Sequence, residues 1–456
     1  MSELKFHRSA LSNTTLDSLI EEYRLQGEAL EVNFRERVCW VPYGSRASHM
    51  IHLYPAKLLP HIPALFVSND RLSTPGDLVL DPFCGSGTVL LESLLAGRIP
   101  IGADSNPVAR LISRVKTKPI STIVLKQSFN RLYKRILDSD SHGTTPDVVN
   151  IDHWFHKHVQ EELIHIKTNI EKVRRRDIRE FFLVAFSNTL RKVSLADPLI
   201  SVPVKLNAHK HETQSPHYSR VNETLERLEN INVYHAFYDQ VEKSIELMKG
   251  LDGLLGNGES ETKIFEDARN LSSQHDSTVQ LIVTSPPYGG AQKYIRSSSL
   301  SLGWLEYCDS KQLRKFERQS IGREHYGKDE YKEISSCGVP EADELIADIE
   351  KISPLRAHIT SNYLIEMKHA FTEACRVLKD DGYFTLVIGN NTVCGFEFRT
   401  AHYLSYLLRE LGLSVELELT DHIKSRGLMT KRNKTAGIIA SESVFLFKKV
   451  AENVRA

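Results

Sequence analysis

Apolar segments of two different periods alternate along the chain. The stretch GDLVLDPFCGSGTVLLESLLAG predicts a short buried strand at 77–80, a glycine loop and a helix that ends at Gly97. IPIGAD predicts a second strand ending at Asp104, and the SNP that follows opens another helix, since proline fits the first helical turn. This order of elements is typical of the first half of a doubly wound parallel sheet: strand, loop, helix, strand, acid and helix.

The same patterning divides the rest of the chain. Leu16–Leu25 has helical spacing, and helix plus loop is expected up to about residue 40. Residues 119–260 are mostly of helical period, whereas VQLIVTSPPY at 279–288 restores a strand pattern. After a polar stretch, a long helix leads into RVLKDDGYFTLVIGN, where helix, turn and strand are expected, and RTAHYLSYLLRELG predicts a further helix. LSVELEL and SVFLFKK then predict an antiparallel closing pair of strands.

The fold class follows from this order of elements. We predict an α/β fold in which the strands between Asp77 and Phe447 form one doubly wound, Rossmann-like sheet. Two segments interrupt that sheet, a helical insertion and a polar insertion at about 296–357.

Composition narrows the range of functions. The 456 residues are 41% hydrophobic and 25% charged, which is enough apolar material for a core without disulfides. Lys plus Arg equals Asp plus Glu at 58 each, so any nucleic-acid contact must come from a locally basic surface. Six cysteines without a CxxC pair argue against zinc-ribbon and thioredoxin sites, and we expect no metal. We also expect a cytoplasmic protein without a membrane span.

The glycine loop DPFCGSGT, Asp81 to Thr88, is the first candidate site. A glycine loop after a parallel strand brings backbone N–H groups close to a ligand. Leu90 stands where a dinucleotide fingerprint needs its third glycine, and no lysine follows Gly87 as a phosphate loop requires. A ligand with adenosine and no phosphate fits better, with Asp104 placed to accept hydrogen bonds from ribose hydroxyls. The alternative is a tight strand-to-helix connection without a ligand.

The second candidate site is VTSPPYGG at 283–290. Two prolines cannot continue a strand ladder, so they form a rigid exit at the carboxyl edge of the sheet. Ser285 Oγ and the Pro286 carbonyl then offer two acceptors for the two N–H groups of an exocyclic amine, and Tyr288 offers an aromatic face for stacking. Positioning the lone pair of a weakly nucleophilic amine is the expected catalytic device. The alternative is a packed proline exit.

DPFCGSGT together with TSPPY resembles the S-adenosylmethionine-dependent DNA amino-methyltransferases, which methylate cytosine N4 or adenine N6. SPPY is the form typical of the cytosine-N4 branch. The resemblance covers about half of the chain, at roughly 50–110, 262–305 and 370–448. It implies S-adenosylmethionine as the cofactor, double-stranded DNA with a flipped cytosine as the substrate, and a cognate restriction endonuclease as a partner.

The resemblance also implies roles for individual residues. The catalytic set is the tetrapeptide of Ser285, Pro286, Pro287 and Tyr288. Asp104 is the ribose acid and Asp267 the acid that contacts the adenine of the cofactor. The full cofactor-binding set is Tyr54, Pro55, Lys57, Asp81, Phe83, Gly85, Gly87, Thr88, Asp104, Asn106, Asp267 and Ala268.

The resemblance divides the chain into three regions. Residues 1–118 hold the N-terminal segment and the cofactor-binding half of the methyltransferase domain, 119–260 the helical insertion, and 261–456 the catalytic half. The glycine loop precedes SPPY, which excludes the permuted order common in the cytosine-N4 branch. The helical insertion or the polar insertion is expected to read the target sequence.

Several alternatives stay open at this stage. Adenine N6 competes with cytosine N4, because the choice rests on Ser285 alone. RNA guanine N2 is disfavoured, since only about 50 residues precede the first matching segment. A non-catalytic nucleic-acid-binding subunit of the same fold is the alternative of another class. Cytosine-5 chemistry is excluded because no cysteine follows a proline.

A basic segment between the last two predicted strands is the candidate contact to DNA phosphates. KSRGLMTKRNK carries five positive charges and no acid, and the alternative is a solvated hairpin loop. Its charged residues are Lys424, Arg426, Lys431, Arg432 and Lys434. KVRRRDIR at 172–179 is expected to be an exposed helix face.

Overall fold

The computed structural model describes residues 2–41, 46–55, 57–140, 143–210, 212–255, 262–290, 294–423 and 440–450. Its strands are β1 (Leu30–Val32), β2 (Leu78–Asp81), β3 (Ile99–Ala103), β4 (Lys263–Phe265), β5 (Val279–Thr284), β6 (Leu378–Ile388), β7 (Asn391–Val393), β8 (Phe396–Phe398), β9 (Leu413–His422) and β10 (Ser441–Lys449). Eight of them form one sheet in the order β1-β9-β10-β6-β5-β2-β3-β4, and β7 pairs with β8.

The helices surround this sheet and form most of the connections between its strands. They are α1 (Ser2–Gln26), α2 (Phe34–Arg37), α3 (His61–Val67), α4 (Thr88–Leu95), α5 (Pro107–Thr117), α6 (Thr122–Asp138), α7 (Ile151–Trp154), α8 (Lys157–Glu171), α9 (Arg176–Val193), α10 (Pro216–Glu229), α11 (Val233–Leu255), α12 (Tyr294–Ser297), α13 (Ser299–Trp304), α14 (Leu313–Gln319), α15 (Pro340–Ile352), α16 (Pro354–Val377) and α17 (Thr400–Glu410). No helix in the described part of the chain is long and apolar enough to cross a membrane.

The centre of the sheet is parallel and doubly wound, as predicted. Strands β4, β3, β2, β5 and β6 run parallel, with Leu80 opposite Ile282 and Asp81 opposite Gly102. The chain moves outward from β2 to β4 on one side and from β5 to β6 on the other. The switch in direction therefore lies between β2 and β5, where open α/β sheets bind their ligands.

Both faces of the sheet are covered. Along β2 and β5, Val79, Leu281 and Val283 pack with α1 and α3. Their neighbours Leu80 and Ile282 point to the opposite face and pack with α16 and α17. This period-two division buries the central strands from both sides, which explains why their sequences are almost continuously apolar.

The residues expected to form a helical insertion fold into α6–α11. Their apolar side chains, including Phe129, Phe182 and Phe237, share one core with Leu111 and Ile112 of α5. The insertion is therefore packed against the sheet region through α5. Its exact boundaries remain a prediction.

The sheet is wider than predicted. It does not begin at Asp77, because Leu30–Val32 forms the edge strand β1 parallel to β9, in a region where helix and loop were expected. Strand β10 lies antiparallel to both β9 and β6, which extends the predicted closing pair. The expected turn in KDDGY is instead an irregularity inside β6, where Asp381 adopts a φ of 62° and the pairing with β5 shifts register.

Candidate functional site

The glycine loop and the double-proline loop line one cleft. They follow β2 and β5, the two adjacent strands at the switch point, and both begin at the carboxyl edge of the sheet. Gly85 from the first loop and Pro286 from the second face the same cleft, which has about 800 Å³ of empty space and is open to solvent.

Backbone constraints shape the glycine loop. Gly85 and Gly87 have φ values of 49° and 76°, which side chains other than glycine rarely adopt. A Cβ on Gly87 would lie 2.8 Å from Ser113 Oγ on α5, so the loop packs tightly against that helix. The close packing aims the start of α4 at the carboxyl edge of the sheet.

A buried carboxylate joins the two loops. Asp81 Oδ1 accepts hydrogen bonds from the Phe83 backbone N–H at 3.0 Å and from Thr284 Oγ1 at 2.7 Å. Thr284 is the last residue of β5, directly before the SPPY tetrapeptide. Burial raises the pKa of Asp81 to about 7. Asp81 thus holds the first residues of both loops at a fixed separation.

Asp104 lies at the end of β3 with its carboxylate at the cleft. Its Oδ2 accepts from the Gly85 N–H at 3.0 Å, and its Oδ1 accepts from the Asn106 N–H at 2.7 Å. Burial raises the pKa of Asp104 to about 6. A buried acid with a raised pKa in a cleft is a common feature of functional sites.

Asn106 connects three elements around Asp104. Its side-chain oxygen caps α5 by accepting from the Val108 N–H, and its Nδ2 donates to Tyr54 OH at 3.2 Å and to Ser298 Oγ at 3.0 Å. Tyr54 is thereby fixed as one wall of the cleft. Ser298 belongs to the predicted polar insertion, so that insertion contributes to the architecture of the site.

The SPPY tetrapeptide lines the cleft with all four residues. Tyr288 is only 8% exposed, and its hydroxyl donates to Glu442 Oε1 on β10 at 2.8 Å. Burial, followed by the Glu442 carboxylate, raises the pKa of Tyr288 well above its usual value, so the phenol stays protonated. The tyrosine ring is held at both ends, by the backbone and by the hydroxyl.

Asp267 and Ala268 follow the short edge strand β4 and line the far side of the cleft. Asp267 also accepts from Arg269 Nε at 2.9 Å and from Arg269 Nη2 at 2.7 Å. Arg269 in turn bonds Glu366 Oε1 and the Gln319 carbonyl, which ties β4 to α16 and to the polar insertion. The Asp267 carboxylate is oriented by this network.

Most of the predicted site residues meet at the cleft, and five do not. Those on the cleft are Tyr54, Phe83, Gly85, Asp104, Asn106, Asp267, Ala268 and the four SPPY residues. Pro55, Lys57, Asp81, Gly87 and Thr88 are not among its lining residues.

The hydrogen bonds of Lys57 explain why its side chain does not line the cleft. Its ammonium donates to the main-chain carbonyl of His52 and, at 3.3 Å, to that of His49. Burial lowers the pKa of Lys57 to about 8. Asp81 and Gly87 support the glycine loop from within, Asp81 through its hydrogen bonds to Phe83 and Thr284 and Gly87 through its packing against Ser113. Thr88 is the buried first residue of α4.

Several lining residues were not predicted from the sequence. Pro82 and Ser105 belong to segments already identified, but Tyr294, Ile295, Gln319, Ser320 and Ile321 come from the chain after SPPY. Their segment is polar and without clear periodicity. Its position directly after the SPPY loop is the one signal that pointed toward them.

The predicted phosphate contacts Lys424, Arg426, Lys431, Arg432 and Lys434 lie outside the described residues. They stay a prediction.

Comparison with known proteins finds a matching family and two relatives of this chain. A family model for DNA methylases of the N6/N4 amino-methyltransferase type matches residues 63–114, from α3 through the glycine loop to α5. The Type II methyltransferase M.MvaI of Kocuria varians is 26% identical over 432 residues, covering 88% of this chain and 91% of that protein. The Type II methyltransferase M.MjaII of Methanocaldococcus jannaschii is 36% identical over 90 residues, which are 20% of this chain and 15% of that protein.

Among solved structures, a SAM-dependent methyltransferase from Methanosarcina mazei is 12% identical and has a TM-score of 0.31, covering 87% of this chain and all of that one.

The sheet and its cleft define a Rossmann-like α/β protein with a ligand site at the switch point of the sheet. The family match and the curated relatives confirm the resemblance predicted from the motifs. Residues 63–114 match the N6/N4 DNA methylase family and most of the chain is similar to a Type II methyltransferase, which supports an S-adenosylmethionine-dependent DNA amino-methyltransferase.

Proposed function

We propose that this enzyme transfers a methyl group from S-adenosylmethionine to the exocyclic N4 amine of cytosine in DNA. The observation that carries the proposal is the shared cleft, in which Gly85 and Asp104 face Ser285 and Tyr288. A donor held by the first pair of residues lies next to an acceptor held by the second.

The described residues suit this cofactor. Asp104 supplies a carboxylate for ribose hydroxyls, and Gly85 gives open backbone beside Tyr54, whose ring carbon would lie 3.7 Å from a Cβ at that position. Asp267 and Ala268 are proposed to hold the adenine at the far side. When bound, S-adenosylmethionine supplies an electrophilic methyl group on a sulfonium ion.

The SPPY tetrapeptide is proposed to orient the amine. Ser285 Oγ and the Pro286 carbonyl accept its two N–H bonds, so the nitrogen lone pair points toward the donor. Tyr288 provides the stacking face, held in place by Glu442. As the new N–C bond forms and the C–S bond of the donor breaks, the amine loses one proton to solvent.

The deep burial of Tyr288 supports base flipping. At 8% exposure, its ring offers little surface to a base that stays stacked within a duplex. The target cytosine is therefore proposed to rotate out of the helix before reaction, at a cost of a few kcal/mol for unstacking.

The choice of cytosine rests on Ser285 in place of an acidic or amide residue. The proposed setting is modification of DNA beside a cognate restriction endonuclease, which is supported by the Type II methyltransferase names of both curated relatives.

The decisive experiment is nucleoside analysis. The purified protein is incubated with S-adenosylmethionine and unmethylated DNA, and the digested product is analysed by mass spectrometry. We expect N4-methylcytosine, and sequencing of the methylated DNA then gives its context. N6-methyladenine as the product would contradict the cytosine assignment, and absence of S-adenosylmethionine binding would leave only a nucleic-acid-binding subunit.

The Ser285→Ala variant tests the role of the tetrapeptide. We expect single-turnover methyl transfer to slow by at least about tenfold, because one of the two acceptors for the amine is lost. The S-adenosylmethionine dissociation constant, measured by calorimetry, should stay unchanged. A rate near that of the wild type would remove Ser285 from the mechanism. Ser310→Ala, at a half-buried serine that donates to Asp147, is the matched control.

A further inference from the structure

A second and larger cleft lies beside the cofactor cleft. It has about 1,520 Å³ of empty space, open to solvent, and is lined by residues between Tyr294 and Glu330. Tyr294, Ile295, Ser320 and Ile321 line both clefts. The two spaces therefore share a wall, and a molecule seated in the second cleft lies next to the one that contains SPPY.

The second cleft is lined by arginines. Arg314 and Arg318 lie four residues apart on α14, so they project from the same side of that helix, and Arg296 extends from α12. All three side chains are exposed, and none forms an ion pair within the described part of the chain. We call these three residues the arginine set.

The other charges of this cleft are largely paired with one another. Arg323 bonds Glu330 at 2.8 Å and stacks over the Tyr326 ring at 3.9 Å. Glu324 lies 3.8 Å from Arg356. Glu317 lies beside the arginine set and Glu330 interacts with the charge of Arg318, but the arginines of this surface outnumber its acids, so its net charge is positive.

Three arginines of the helical insertion, Arg175, Arg176 and Arg179, differ from this set. Arg175 is paired with Asp177 at 2.8 Å, and Arg176 with Glu180 at 3.1 Å. Arg179 donates to the Val173 carbonyl at 3.1 Å. Contact with a phosphate would require these side chains to give up existing bonds, whereas the arginine set has no hydrogen bond or ion pair to give up among the residues that the structure describes.

We propose that the arginine set binds the phosphate backbone of the DNA strand that carries the target base. This inference rests on the proposed function, and it assigns the substrate contact to the polar insertion rather than to the helical one. Guanidinium groups bind phosphate oxygens in a two-pronged geometry, and their contacts are independent of base sequence. A backbone held by α12 and α14 places its nucleotide at the wall shared with the catalytic cleft.

The test compares two double variants, Arg314→Gln/Arg318→Gln and Arg175→Gln/Arg176→Gln. Binding of a fluorescent 30-base-pair duplex is measured by anisotropy over a range of salt concentrations. For the first variant we expect affinity to fall by about tenfold or more and the slope of log K against log salt to decrease by about two, one for each lost phosphate contact. The second variant should match the wild type in both.

Two further measurements separate the outcomes. The dissociation constant for S-adenosylmethionine should be equal in all three proteins, which shows that the folds are intact. An unchanged salt slope for the Arg314/Arg318 variant, equal losses in both variants, or tighter binding of an RNA of equal length would overturn the inference. Because anisotropy needs no turnover, loss of DNA affinity without N4-methylcytosine formation by the wild type would refute the proposed function and leave this site standing.

Discussion

The helical and polar insertions interrupt the same sheet but differ in what their side chains do. In α6–α11, the large aromatic residues Phe129, Phe182 and Phe237 are fully buried, and Arg175 and Arg176 are paired with acids. In the chain around α14, most side chains are exposed and face the two clefts. A segment rich in apolar residues has become structural support, whereas a segment poor in them has become binding surface.

Core truncation tests this difference with the largest expected effect. Phe182→Ala in α9 should lower the free energy of unfolding by about 3–5 kcal/mol, since it removes a fully buried aromatic ring and leaves a cavity. Phe316→Ala in α14 removes a half-buried ring and should cost about 1 kcal/mol. Urea denaturation followed by circular dichroism measures both. Equal losses would mean that the polar insertion is also a structural core.

A pH titration tests the cofactor site separately from either insertion. Asp104 has a pKa of about 6, raised by burial, and its ionised form is the proposed acceptor for ribose hydroxyls. S-adenosylmethionine affinity should therefore be constant above pH 7 and fall as the pH drops through 6, by up to about tenfold per unit. Calorimetry from pH 5 to 8 measures this dependence.

Two variants identify the titrating group. Asp104→Asn should bind the cofactor weakly and without this pH dependence. Asp81→Asn removes the neighbouring buried acid with a pKa of about 7 but keeps Asp104, so the fall near pH 6 should persist. Loss of the pH dependence in the Asp81 variant instead would reassign the effect to the carboxylate beneath the loop.

The site residues that could be predicted from the sequence are those that directly follow a strand. Gly85 and Ser285 follow the two strands at the switch point and Asp104 follows the neighbouring strand β3, and parallel strands bring their carboxyl ends to one edge. The motifs and the sheet order were therefore sufficient to place these residues in one cleft.

The rest depends on contacts that no local pattern encodes. Lys57 was predicted to contact the cofactor, but its ammonium is satisfied by carbonyls of its own loop. Gln319 reaches the cleft from a helix distant in sequence. Strands β1 and β4 have three residues each, too short for periodicity to reveal them.

The smallest expected effect concerns the ion pair that joins the two insertions. Lys167 on α8 contacts Glu171 on the same helix, at 2.6 Å, and Glu306, which follows α13. Burial alone would lower the pKa of Lys167, but the two carboxylates outweigh it and raise that pKa. Both glutamates are about half exposed, so solvent weakens each pair, and a coupling of roughly 0.2–1 kcal/mol is expected.

A double-mutant cycle with Lys167→Met and Glu306→Gln measures that coupling from the free energies of unfolding. The cycle with Glu171→Gln is the matched control, because it reports a pair confined to α8. A coupling between Lys167 and Glu306 means that the supporting insertion restrains the segment leading to α14, and hence the arginine set. A value of zero, with the control intact, would mean that the binding surface is positioned by other contacts between the insertions, such as the packing of Trp304 against Phe155 and Phe186.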